Sequence, residues 1–314
     1  TAGDSRLLVE AHRTTGLTFF WLGEFVSARE YCEAGISVYD PEHHRANVAL
    51  YPQDPGVGCL SAGAWALWSL GYPDQALERS HQAIALAEEP LHPFSLGFAL
   101  TFAVVLQQFR REERTTQERA EELIALSTEQ GFAYWLMWGT FLRGWALAAQ
   151  GRAEEGMAQI RHGLDVARAT GAVMGRSHIL ALLAEAYGKA GQAEEALEAV
   201  AEGLAFVDQT GEGHYEAELY RLKGELTLQS QAAGHKSNVE AEAEFCFQKA
   251  LDVTRQQQAK SWELRAATSL ARLWQQKDKQ AEAHQLLAEI YNWFTEGFDT
   301  KDLQEAKTLL KELE

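Results

Sequence analysis

Gly144-Trp-Ala-Leu-Ala-Ala-Gln-Gly151 and, forty residues on, Ala184-Glu-Ala-Tyr-Gly-Lys-Ala-Gly191 are two copies of one pattern. Each opens on a small residue and closes on a glycine, and each is followed by a polar residue and Ala-Glu-Glu. The first copy leads to Gly156, Ile160, Gly163 and Leu164, the second to Ala196, Val200, Gly203 and Leu204. Large apolar residues three or four positions from small ones trace one face of a helix with 3.6 residues per turn. A glycine between two such runs ends one helix and turns tightly into the next, because it tolerates positive φ. The stretch therefore predicts paired helices in contact through their small residues.

Working outward, Gly16-Leu-Thr-Phe-Phe-Trp-Leu-Gly23 repeats the pattern and leads to Ala28, Cys32, Gly35 and Ile36. Gly71 takes the same turn, and Gly131, Gly171 and Gly211 mark the exits of successive second helices. A small residue seven before the turn glycine and another five after it is the tetratricopeptide (TPR) spacing. Second-helix anchors fall at Ile36, Ile84, Ile124, Leu164, Leu204, Leu251 and Tyr291, in steps of 48, 40, 40, 40, 47 and 40 residues. The expected fold is all-α: a right-handed superhelical solenoid of about seven TPR-like hairpins with a C-terminal capping helix. It forms a single unit over 1–314, with hairpins at about 5–40, 58–90, 94–130, 132–170, 172–210, 214–258 and 261–296 and the cap at 301–314. The two long steps mark insertions near Tyr39–Gly58 and Ser230–Asn238. Arg111 with Thr116, and Asp278, depart from the pattern at their turns. All six prolines lie between Pro41 and Pro93, which leaves the rest free for uninterrupted helices.

The segments Phe94-Ser-Leu-Gly-Phe-Ala-Leu, Phe141-Leu-Arg-Gly-Trp-Ala-Leu-Ala, Leu183-Ala-Glu-Ala-Tyr-Gly-Lys-Ala-Gly, Tyr215-Glu-Ala-Glu-Leu-Tyr-Arg-Leu-Lys-Gly-Glu-Leu and Phe294-Thr-Glu-Gly-Phe-Asp-Thr carry a further likeness. They resemble the C-terminal TPR region of large bacterial signalling proteins, in which an N-terminal effector precedes a STAND-class ATPase. The effector is often a class III nucleotide cyclase or a DNA-binding domain. The resemblance implies a regulatory role, as sensor arm or docking platform, with protein segments or the neighbouring ATPase and effector modules as partners. In the relative that activates maltose genes the corresponding arm senses a sugar, so the alternative is a small-molecule sensor taking an inducer such as an oligosaccharide. The resemblance brings no active site.

Composition narrows the classes. The chain has 314 residues, 46% hydrophobic, and a formal net charge of −17. That balance lacks the basic stripe a nucleic-acid grip needs, and it disfavours an anionic membrane surface. The uncharged run Pro90–Phe109 is too short for a bilayer once its prolines and glutamines are set aside. Three cysteines, Cys32, Cys59 and Cys246, without a CxxC spacing, suit a reducing, cytoplasmic setting. The chain opens on Thr1 without an initiator Met or signal peptide and reads as a processed protein or, in preference, an excerpt of a longer one. It contains no GxxxxGK[ST], no HExxH and no nucleophile elbow, so neither enzyme activity, cofactor nor metal is expected. The recurrent Glu-Glu pairs read as solvated helix edges.

In a TPR superhelix the first helix of each hairpin lines a concave groove. Those positions place Phe20, Trp21, Trp65, Trp68, Phe98, Phe109, Trp138, Phe141 and Trp145 in its N-terminal half. They place His178, Glu185, Lys189, Arg221, Glu225, Arg265 and Arg272 in its C-terminal half. The expectation is a groove aromatic at one end and mixed in charge at the other, suited to a guest with an apolar anchor and a charged tail. A one-residue shift in register would turn an aromatic from groove to core. In the first insertion His43, His44, Arg45 and Asp54 form a second candidate set, beside the plainer reading of a structural elbow.

Overall fold

The computed structural model describes residues 5–42, 53–88, 92–172, 174–232 and 238–314. Among them are fifteen α-helices and no strand. They are α1 (Ser5–Trp21), α2 (Phe25–Val38), α3 (Pro55–Ser69), α4 (Pro73–Glu88), α5 (Pro93–Phe109), α6 (Glu113–Gln130), α7 (Ala133–Ala149) and α8 (Ala153–Thr170). There follow α9 (Arg176–Lys189), α10 (Ala193–Thr210), α11 (Glu216–Ala232), α12 (Val239–Gln256), α13 (Lys260–Gln276), α14 (Gln280–Tyr291) and α15 (Lys301–Leu313). Odd-numbered helices from α1 to α13 each pack on the even-numbered helix that follows, and the pairs stack into a helical solenoid.

Local chemistry explains the hairpins. Gly151 turns at φ 89° and Gly191 at φ 76°, the left-handed region in which a Cβ is strained. At three turns without glycine, Arg111, Gln258 and Asp278 take the same conformation at φ 60°, 55° and 56°. Pro55, Pro73 and Pro93 each open a helix, where the missing N–H is no loss. Gly144 and Gly156 let α7 and α8 touch: a Cβ at Gly144 would lie 2.8 Å from the Gly156 carbonyl oxygen. The last helix, α15, buries Leu303, Ala306, Leu309 and Leu313 against the end of the stack.

The stack does not stay open. Its last hairpin reaches back to the second and third. Glu296 accepts from the Asp74 and Gln75 amides at 3.0 and 3.1 Å, and the Gly297 amide donates to Asp74 at 3.0 Å. The Ser261 hydroxyl donates to the Trp68 carbonyl at 2.5 Å. Trp262 of α13 packs edge-on to Trp68 at 4.7 Å and joins the core built by the first eleven helices. Nearer the start, the His214 amide donates to the Trp21 carbonyl at 3.3 Å, and the Gln257 side chain donates to Gly213 at 2.8 Å.

No helix among the described residues is long and apolar enough to cross a membrane. Residues 43–52 and 233–237, about half of the two expected insertions, lie outside the described residues, and His43, His44 and Arg45 with them.

Candidate functional site

The inward positions of the first helices have two fates, set by their side chains. All but one of the large rings line no hollow. Phe20, Trp65, Trp68, Phe109, Trp138 and Phe141 are at most 2% exposed and Phe98 is 5% exposed, which corrects the expectation of an open aromatic groove. Trp65 stacks on Phe102 at 3.7 Å and donates to its carbonyl at 2.8 Å. Phe98 stacks on Phe102 in turn, and Phe141 fills the space beside Gly163. Trp68 and Phe109 stack on one another and meet Trp262 from across the solenoid. Trp21 is half-buried against Phe20, Trp65 and His214. The physical reason is burial: each large apolar side chain removed from water contributes about 1.5–3 kcal/mol, so the arms close over the rings.

His178 joins this interior rather than a groove. It is 1% exposed, stacks on Tyr215 at 4.1 Å and bonds Gln108 at 2.9 Å. His214 lies beside it, 2% exposed, with neither ring nitrogen hydrogen-bonded. Burial holds the imidazole of His178 well below its usual range, with His214 adding to the effect, and holds His214 down to about 3.

Where the inward residues are charged, the solenoid stays hollow. A cavity of about 530 Å³ is lined by the C-terminal ends of α5, α7 and α9, by α11 and α13, and by the first turns of α15. It brings together Trp145, Glu185, Lys189, Arg221, Glu225, Arg265 and Arg272. Trp145 is only 3% exposed and shows its polar edge: Nε1 donates to Glu185 at 2.8 Å.

Sequence reasoning missed the partners of these residues. Glu218 holds Arg221 through two hydrogen bonds, at 2.7 and 2.6 Å. Glu225 pairs with Arg221 at 2.5 Å and accepts from Ser269 at 2.8 Å. Asp302 and Glu305, on a helix expected only to seal the end, receive Arg265 at 2.7 Å and Arg272 at 3.2 Å. Arg111, the turn residue that departs from glycine, spans to both carboxylates at 3.0 Å. Lys301 donates to Glu113 at 2.6 Å. Arg265 also donates to the Phe109 carbonyl and lies over the rings of Trp68 and Trp262 at 5.1 and 4.9 Å. The cavity wall and the clasp that closes the solenoid are thus one network. The only available hint was the run of charges at Lys301-Asp302 and Glu305 on a helix otherwise read as amphipathic.

Electrostatics distinguish the carboxylates. Burial and the nearby Glu218 push Glu185 above the usual carboxylate range. Glu225 is held below it by Arg221, and Asp302 by Arg265 and Arg111, against the opposing effect of burial. Among the described residues no His, Cys, Asp and Glu group is arranged to hold a metal ion. Asp54 corrects the second candidate set. It caps α3, accepting from the Gly56 and Val57 amides at 2.8 and 3.2 Å, and it receives the Tyr39 hydroxyl at 2.8 Å.

The fold is that of TPR and Rap-type helical solenoid proteins. The apo form of RapI superposes over 97% of this chain and 99% of its own, with a TM-score of 0.56 at 11% identity. A Rap protein complexed with competence and sporulation factor superposes over 97% and 96%, with a TM-score of 0.53 at 11% identity. In sequence the chain is 25% identical over 227 residues to the uncharacterized protein R02095 of Rhizobium meliloti (strain 1021). That match covers 71% of this chain and 22% of that protein, so the chain spans about a fifth of the relative's length. No family model matches the chain.

Proposed function

We propose that this chain is a non-catalytic protein-interaction and regulatory solenoid, and that its guest site is the mixed-charge cavity. The observation that carries this reading is the division of the interior. The apolar half is filled, while the half lined by arginines and carboxylates remains a concave space of about 530 Å³. A pocket with convergent polar groups on rigid helices is the default binding site of such a scaffold. The occurrence of a Rap protein of this fold in complex with competence and sporulation factor agrees with a binding role. The likeness of the repeat segments to STAND-type signalling proteins, and a relative several times longer than this chain, support a place as sensor or docking arm of a larger cytoplasmic ATPase.

The test is selection of random twelve-residue peptides displayed on phage against the chain and against Ala149→Trp, which sets an indole where a small side chain lines the cavity. Peptides that bind the wild type and lose at least tenfold in affinity for the variant are expected. Peptides that bind both equally would place recognition elsewhere.

A second reading, a small-molecule sensor, draws on the cavity's volume, which falls within the range of small-ligand pockets. An oligosaccharide panel that raises the melting temperature of the wild type, and not of Ala149→Trp, would favour it over a peptide.

A further inference from the structure

The ion pairs of the cavity are almost all internal, and the exception identifies what a guest must bring. On the α9–α11 wall three carboxylates, Glu185, Glu218 and Glu225, share the guanidinium of Arg221, and Arg265 approaches Glu218 from α13 at 3.9 Å. Arg221 is taken by Glu218 and Glu225. Among the described residues Glu185 is left with one neutral donor, the Trp145 indole. A carboxylate offers about four lone-pair sites, so most of the capacity of Glu185 is unused in a place where water is partly excluded. Lys189, one turn along the same helix, is exposed at the rim and has no carboxylate within ion-pair distance among the described residues. On the opposite wall four cations, Arg111, Arg265, Arg272 and Lys301, meet three carboxylates, Glu113, Asp302 and Glu305, with Arg265 also reaching across to Glu218.

We propose that the cavity takes a peptide segment presenting a lysine or arginine side chain, whose cationic head seats on the Glu185 carboxylate. This rests on the cavity being the guest site. A guanidinium meets a carboxylate through two parallel N–H···O bonds, stronger than bonds to neutral acceptors. The rest of the segment lies toward the surplus cations of α13 and α15, which favours an acidic residue or a C-terminal carboxylate beside the basic one. The charged form of Glu185 is opposed by burial and by Glu218 and supported by Arg221 and Lys189. A guest cation adds to that support, so its affinity falls as acid protonates Glu185.

The experiment uses the phage-selected peptides, resynthesised with a fluorophore and measured by anisotropy on the whole chain. Peptides lost by Ala149→Trp should each contain Lys or Arg. Replacing that arginine by neutral, near-isosteric citrulline, or a lysine by norleucine, should weaken binding tenfold or more. Glu185→Gln, which keeps an acceptor for Trp145, should do the same, with little further loss when both changes are combined. Retention of the Trp145 indole resonance in the NMR spectrum shows that the variant is folded. If Ala149→Trp abolishes binding while citrulline and Glu185→Gln leave it unchanged, the cation reading is overturned and the cavity reading stands. If the peptides bind Ala149→Trp as they bind wild type, both fall together.

Discussion

His214 sits at the centre of the solenoid with two unpartnered ring nitrogens and Trp21, Phe20 and Tyr215 around it. Its pKa is about 3 when folded, against about 6.5 when unfolded. The unfolded chain therefore binds the extra proton first as pH falls. No penalty exists above about pH 6.5, and below it the folded state loses about 1.4 kcal/mol per pH unit from this residue. His178 acts in the same direction. Urea unfolding from pH 7 to pH 5 should show stability falling by about 2 kcal/mol on this account, and His214→Phe should flatten that slope. A second residue-scale prediction concerns Asp278, exposed and held at φ 56°. Non-glycine residues pay roughly 1 kcal/mol or more in this region, part of which a glycine returns through its freer unfolded state. Asp278→Gly should gain about 0.5–1 kcal/mol in thermal or chemical unfolding. Arg111→Gly should not, because that side chain ties the turn to Asp302 and Glu305.

At the scale of elements, α15 both covers the apolar end of the stack and turns Asp302 and Glu305 into the cavity. Asp302 lies between Arg265 and Arg111, with all three side chains at least partly buried. Removing its charge leaves Arg111 with Glu305 alone and Arg265 with only the more distant Glu218 in a poorly solvated place, so Asp302→Asn should cost about 2 kcal/mol, measured by denaturant unfolding. The elements themselves were legible from the chain. Turn glycines such as Gly151 and Gly191, and close-contact residues such as Gly144 and Gly156, encode hairpins through local geometry alone. Periodicity also chose inward positions well, since Trp65, Trp68, Phe109, Arg221 and Arg265 all face the interior network. It had no means of telling a filled interior from a hollow one. That depends on Ser261 reaching Trp68 and Arg265 reaching Phe109, pairs far apart in the chain that leave no local signature. The role of α15 was hidden for the same reason, because an amphipathic pattern records which face is buried but not what the charged face meets.

For the whole molecule, the keystone is Trp262, which lies between Trp68, Phe109 and Tyr215 and so joins α13 to α3, α5 and the turn that leads into α11. Trp262→Ala should cost about 3–5 kcal/mol. It should also raise the radius of gyration in X-ray scattering, as the last hairpins swing away from the first. Loss of stability without expansion would mean that the clasp of Arg265, Asp302 and Arg111 holds the arms by itself.

Repeat proteins built as open rows gain stability from nearest neighbours, and their outermost units fray independently. Here Glu296 and Asp74, more than two hundred residues apart, hold one another. The first and last hairpins of the described array are each tied to a distant repeat, through Trp21 with His214 and Glu296 with Asp74. Cooperativity becomes a property of the circle rather than of its links: shortening the chain at its tail loosens amides near its head, and hydrogen exchange rises together across the array. Joining such distant segments must precede much of the reward, so refolding is slow for a helical protein of local contacts.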